Sequence, residues 1–239
     1  MESCNQTNAC PRRPDCTLVI MAKAPRPGLV KTRLASCLPP AAVLSLYRCL
    51  FDDTMALTRA LGDVEVTVMC PASDVDDIAH LAGPTVRVVA QRGHGLAAGL
   101  TSVFAHFADA GRQRVIAFNS DSPHLPASVL KSAFESLNRF DVVVGPTHDG
   151  GYYLVGAKAP HPTLFEGDGM GTGSALELLL QRARTLDLSV ACTDSFYDID
   201  VKADLVRLAA ELEIAPARAP RTADWLKEWG QAMAQLRTS

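Results

Sequence analysis

The chain has 239 residues, the length of one large domain or two small ones, and 48% of them are hydrophobic, enough for a sizeable core. Charged residues make up 21% and the net charge is −3, which excludes a general attraction for nucleic acid or anionic membrane, so any phosphate binding has to come from a local site. The longest apolar runs are strand-sized, far below the roughly 20 residues that span a bilayer, and no membrane span is expected.

Residues 1–16 are polar, contain Pro11 and Pro14, and read as a disordered tail rather than a signal peptide, ahead of one domain over 17–239. The seven cysteines are odd in number and the chain is not a small secreted scaffold, which predicts reduced thiols in a cytoplasm. Cys4, Cys10 and Cys16 recur every six residues without the CxxC spacing of a metal site, so a metal site and a floppy tail both stay open.

Residues 17–22 are a short apolar run, a candidate buried strand. Apolar residues at helical spacing follow over 41–61. Residues 65–70 form a strand stopped by Pro71, and 74–81 a short helix with an Asp cap. A strand at 86–90, a helix at 96–108 and a strand at 115–118 come next. A helix over 126–137 has Pro at its first position, where the missing N–H costs nothing. Strands at 142–145 and 152–155 flank a tight Gly-Gly turn, and 175–183, 188–191 and 203–212 read as helix, strand and helix. A terminal amphipathic helix over 223–236 carries Trp225 and Trp229 at i,i+4 spacing, a pair expected to lie against the body. This alternation predicts right-handed crossovers and a mostly parallel sheet covered on both faces, a three-layer α/β/α sandwich.

In such sheets ligands bind at the carboxyl ends of the strands, and three loops there are unusual. The first reads KAPRPGLVKTRL. Lys23, Arg26, Lys31 and Arg33 fall close together, with Pro25, Pro27 and Gly28 shaping a turn before a helix start, a pattern suited to a phosphate chain or to a plain solvated basic loop. It is not a P-loop, because GxxxxGK[ST] is missing. The second, NSDSPHLP, ends a strand in Asp121 with Asn119, Ser120 and Ser122 beside it. That is hard-oxygen chemistry for Mg²⁺ or Mn²⁺, against the alternative that Asp121 caps the next helix. The third, PTHDGGYYLVG, has Asp149 to orient an acceptor or act as a base and Gly150-Gly151 for close backbone approach; a hairpin turn explains Asp-Gly equally well. Farther on, Asp198 and Asp200 alternate on an extended segment, which puts both carboxylates on one face, to join Asp121 at a metal or, for Asp200, to cap a helix.

Taken together, KAPRPGLVKTRL, Gln91 with Gly95, NSDSPHLP, GPTHDGGYYLVG and DIDVKADL resemble a bacterial glycosyltransferase-like family of the nucleotide-diphospho-sugar transferase (GT-A) superfamily, over roughly 17–213. The KTRL loop is also similar to that of 2-phospho-L-lactate guanylyltransferase. The resemblance implies a GT-A-type, Rossmann-like sandwich and a nucleotide held by Lys23, Ala24, Gly28, Lys31, Arg33, Gln91, Gly95, Asn119 and Asp121. It further implies a divalent metal at Asp121, to which the spacing of the later segment adds Asp200 as a candidate second ligand, and an acceptor site in the second half, near Gly150, Gly151 and Tyr152. Lys31, Arg33 and Asp149 would carry catalysis. The chain departs from the family at Gly93-His94-Gly95-Leu96, where an acidic residue is replaced, at Ala97-Ala98-Gly99, which lacks an expected Arg, and at the glycine-rich stretch 167–173, which suggests a mobile lid. Three functions follow: glycosyl transfer from an NDP-sugar to a small acceptor, nucleotidyl transfer from an NTP to a phosphorylated small molecule, and a non-catalytic nucleotide-binding module.

Overall fold

The computed structural model of the protein describes residues 15–166 and 173–238, and only the backbone of the last helix beyond residue 230. Cys4, Cys10 and all but the last residue of the lid expected at 167–173 lie outside the described residues. Seven strands are seen among the described residues: β1 (Cys16–Met21), β2 (Val64–Cys70), β3 (Arg87–Ala90), β4 (Arg114–Asn119), β5 (Val142–Pro146), β6 (Tyr152–Ala157) and β7 (Val190–Cys192). They form one sheet in the order β3-β2-β1-β4-β6-β5-β7, in which only β6 runs antiparallel to its neighbours. The helices are α1 (Pro40–Thr58), α2 (Val75–Ala82), α3 (Gly95–Asp109), α4 (Ala127–Ser136), α5 (Ala175–Thr185), α6 (Lys202–Ile214) and α7 (Pro220–Thr238).

Strand alternation builds the three layers. Leu18 and Ile20 of β1 and Ile116 and Phe118 of β4 meet Phe51 of α1, Ile78 of α2 and Leu130 of α4 on one face. Val19, Val115 and Ala117 meet Val103 and Phe107 of α3 and Leu179 of α5 on the other. Side chains one residue apart thus serve opposite cores, as the period of two requires. Truncating a fully buried Leu18 or Phe51 to Ala would cost about 2–5 kcal/mol. A third apolar layer joins the outer side of α1 to α6 and α7 through Leu46, Leu50, Leu208 and Leu212.

Trp225 and Trp229 lie against this layer as expected. They stack with centroids 5.6 Å apart, and Trp225 donates to Ser45 Oγ. Helix α7 is anchored by Asp53 of α1, 1% exposed, which accepts from Thr222 N–H at 2.8 Å, Thr222 Oγ1 at 2.7 Å and Arg221 N–H at 3.2 Å. A carboxylate on the first amides of a helix satisfies donors that have no partner within it.

Three local expectations are revised. Pro126 is the cap residue before α4 rather than its first residue, with extended backbone. Asp74 precedes α2 as expected, yet its carboxylate does not cap that helix, because it is spent on the loop after β1. β1 also begins at Cys16, inside the span read as a tail.

Chain order places β1 at the point where the sheet reverses direction. β1, β2 and β3 advance one way, and α3 then carries the chain back to β4 on the other side of β1. A crevice opens at the carboxyl ends of strands at such a switch point, and β1 and β4 end level, with Met21 opposite Asn119.

Candidate active site

The loop after β1 is held by side chains from α1 and α2. The Tyr47 hydroxyl accepts from Lys23 N–H at 3.1 Å and donates to Lys23 O at 2.9 Å. Ala24 N–H donates to Asp74 Oδ2 at 2.9 Å. The Arg26 guanidinium pairs with Asp74 at 2.9 Å and Asp77 at 2.6 Å, so this cation fixes the loop rather than facing the crevice. Gly28, at φ 74, makes the turn that a side chain would strain.

Lys31 follows in a left-handed conformation, φ 47 and ψ 42, directly before a short 3-10 helix, Thr32–Ser36. Its side chain is 4% exposed, and Nζ lies 2.7 Å from Asp121 Oδ2 and 2.9 Å from Asp200 Oδ1. Burial works against the ammonium, but the two carboxylates outweigh it and its pKa is raised. Arg33 is 67% exposed, with Nη1 3.8 Å from Asp200 Oδ2. The basic loop is therefore divided: Arg26 is bound to α2, Lys31 is inserted among carboxylates, and Lys23 and Arg33 face solvent.

The acidic side comes from two segments tied to each other. At the end of β4, Ser120 Oγ donates to Asp121 Oδ1 at 3.1 Å, and Asn119 Nδ2 donates to Ser122 Oγ. Ser122 Oγ in turn donates to Tyr197 O, and the His124 ring lies 4.4 Å from that of Tyr197. The second segment is delivered along β5. Thr193 N–H donates to Val144 O, Phe196 N–H to Pro146 O and His148 N–H to Phe196 O, which extends parallel pairing past the end of β7.

Asp204 caps α6 by accepting from the Asp200 and Val201 amides at 2.9 and 2.8 Å. The Asp200 carboxylate is thus not needed as a cap, and it turns to Lys31 instead. Nor does Asp121 cap the following helix, since α4 has no side-chain cap.

Carboxylate oxygens of Asp121, Asp198 and Asp200 lie within 4.8 Å of one another. Burial, then the neighbouring Asp200 and Asp121 charges, pushes the Asp198 carboxyl up to about 6 against the opposing pull of Lys31. Three convergent hard oxygen donors fit Mg²⁺ or Mn²⁺. The alternation of Asp198 with Asp200 already put the two on one face in the sequence, and the structure brings both to Asp121.

Asp149 and Gly150 sit in the loop of the β5–β6 hairpin, where a turn does form, but with positive φ at Gly150 and not at Asp149 it is not the type I′ turn that Asp-Gly suggests. Gly150 has φ 87, and Thr147 N–H donates to Gly151 O at 3.0 Å. Asp149 Oδ1 accepts from Thr147 Oγ1 at 2.6 Å and from Gly151 N–H at 3.2 Å. The Thr147 hydroxyl is the main reason that its carboxyl is held below the usual range, which makes it a poor base and a good fixed acceptor.

Two clefts flank the acidic residues. One, of about 210 Å³, is lined by Lys23, Leu29, Lys31, Tyr47, Ser120, Asp121 and Asp200 among others. The other, of about 220 Å³, is lined by Arg33, Leu96, Thr147, Asp149, Gly151, Tyr152, Asp198 and Asp200 among others. Asp200 belongs to both. Ala24, Gly28, Gln91, Gly95, Asn119 and Gly150 line neither. Ala24 and Asn119 act through backbone or neighbour hydrogen bonds, Gln91 bonds to Gly93 O beside the edge strand, and Gly95 opens α3 at φ 82.

Residues 54–172 match the family described as "Uncharacterized protein conserved in bacteria (DUF2064)". That segment belongs to it. A crystal structure of a candidate nucleotide-diphospho-sugar transferase from Desulfovibrio desulfuricans is similar at a TM-score of 0.85 and 26% identity, over 92% of this chain and 97% of that one. A 4-diphosphocytidyl-2C-methyl-D-erythritol synthase from Anaerococcus prevotii shares the fold at a TM-score of 0.56 and 12% identity, over 83% and 96%. A nucleotidyl transferase from Methanothermobacter thermautotroptrophicus does so at 0.56 and 17%, over 84% and 98%. No curated protein matches the chain by sequence. The chain therefore has the α/β/α fold of the nucleotide-diphospho-sugar transferases. Among its described residues no helix is long and apolar enough to cross a membrane.

Proposed function

We propose that the protein is a divalent-cation-dependent transferase that moves a sugar from a nucleotide diphosphate donor to a small-molecule acceptor. The observation that carries this reading is the acidic triad at the junction of two clefts, with Asp121 in one, Asp198 in the other and Asp200 in both. Transfer needs a donor and an acceptor on either side of one charged centre. Asp121, Asp198 and Asp200 would hold Mg²⁺ or Mn²⁺, which supplies charge neutralisation for a departing diphosphate.

The donor phosphates engage Lys31 and Arg33 beside the exposed Lys23, the turn at Ala24–Gly28 gives them backbone approach, and Gln91, Gly95 and Asn119 belong to the nucleoside side. The acceptor lies against Gly150, Gly151 and Tyr152. Asp149 accepts a hydrogen bond from its hydroxyl and orients it, a role that suits a carboxylate held ionised by Thr147. The described cysteines are free thiols, which fits work in the cytoplasm.

Nucleotidyl transfer is the second reading. It is favoured by Lys31 and Arg33 both reaching Asp200 from one short helical turn, an arrangement able to neutralise departing pyrophosphate. The test is product analysis with Mn²⁺ and panels of nucleotide sugars and NTPs. Nucleoside diphosphate released from a nucleotide sugar is the expected result. Pyrophosphate released from an NTP would replace the first reading by the second, and neither product with any donor would leave a binding module.

A further inference from the structure

The cation that occupies the acidic centre is part of the chain. Lys31 Nζ is within 2.9 Å of carboxylate oxygens from two separate loops, and those carboxylates belong to two of the three residues able to hold a divalent ion. An ammonium and a divalent cation attracted to the same oxygens repel each other, and the repulsion is strong where burial weakens solvent screening. An ammonium held by two carboxylates gives them up to another cation only by moving.

The side chain has the means to move. It is a four-carbon stem with a point charge, and it opens on the same cleft as Leu29 and Lys23, both exposed. A donor phosphate in that cleft offers the ammonium an equivalent anionic partner.

We propose that Lys31 competes with the divalent cation for Asp121 and Asp200, and that the donor's phosphates draw it away, so that metal and donor load together. This rests on the metal reading given above. Lys31 then has two effects of opposite sign: it weakens the binding of metal alone and strengthens the binding of the metal–donor pair. By linkage, the factor by which bound donor raises metal affinity is the factor by which bound metal raises donor affinity.

The test is a titration of the full chain with Mn²⁺ alone, reading free Mn²⁺ by electron paramagnetic resonance, for wild type and Lys31→Gln. Mn²⁺ bound at least about tenfold more tightly by Lys31→Gln is the expected result. Equal or weaker binding by the variant, with wild type binding Mn²⁺ well, would overturn the competition and leave the metal reading standing. No binding by either protein would overturn both.

Lys31→Gln leaves carboxylates without their cation and can fail to fold, so a second measurement uses wild type only. Mass-spectrometric amine labelling should rise severalfold at Lys31 when Mg²⁺ is added, and stay constant at the exposed Lys202. Labelling of Lys31 that does not change at saturating Mg²⁺ would refute the displacement.

Discussion

His124 should make the fold acid-sensitive through one buried ring. It is 1% exposed, and neither ring nitrogen has a hydrogen-bond partner in the protein. Burial, opposed by Glu211 and reinforced by Arg207 and Arg218, pushes its pKa from 6.5 down to about 4. The unfolded chain therefore binds a proton between those values that the folded chain refuses. Stability is complete above about pH 6.5 and falls as pH drops towards 4. A shift of this size corresponds to about 3 kcal/mol, of which about 2.5 kcal/mol is lost near pH 4.5.

His124→Phe keeps a flat ring against Tyr197 and removes the titration. Near pH 7 the lost polar burial and the slightly larger ring offset each other, and the variant should lie within about 1 kcal/mol of wild type. Near pH 4.5 it should be the more stable by about 2 kcal/mol or more. Urea unfolding at both pH values measures this, because the double difference cancels every carboxylate the two proteins share. If wild type and variant lose the same stability on acidification, His124 is not buried as a neutral ring and the reasoning fails.

Other perturbations test the remaining contacts. Asp121→Asn should lower turnover by at least about 100-fold with little change in melting temperature, measured by product release; full activity would remove Asp121 from the metal. Chelation by EDTA should abolish turnover, and Mn²⁺ or Mg²⁺ should restore it. Asp53→Ala should cost about 2–4 kcal/mol in urea unfolding, because it strips three hydrogen bonds from a buried carboxylate at the start of α7. Gly150→Ala should cost about 1–3 kcal/mol, since φ 87 disfavours a side chain and the added Cβ would meet the Gly173 carbonyl.

The layers were legible because β1 and β4 carry uninterrupted apolar runs, and a run buried on both faces leaves that mark in a sequence. The antiparallel turn of β6 was half legible: Asp149-Gly150-Gly151 announced a tight turn, but only pairing with both β4 and β5 fixes the direction. Asp74 and Pro126 show where local rules stop. Each stands at a helix start, as local chemistry predicts, but the carboxylate of Asp74 finds Ala24 and Arg26, fifty and forty-eight residues away, to be better partners than its own helix. No local window contains that competition.

The same limit explains the site. The basic loop and the acidic residues were each visible as clusters, and charge alone suggested that the first waits for phosphate and the second for metal. Their meeting depends on β1 and β4 ending level and on residues 193–196 continuing along β5, which brings Asp200 to Lys31 across 169 positions of chain. Once they meet, each cluster changes the chemistry of the other. Lys31 is no longer a free phosphate ligand, and the triad is no longer an unopposed acidic pocket; a ligand that engages either one must alter both. For this reason Lys31→Gln is the informative substitution at this centre: a simple phosphate-binding lysine predicts lost donor affinity alone, whereas the geometry predicts that loss together with a gain in affinity for the metal.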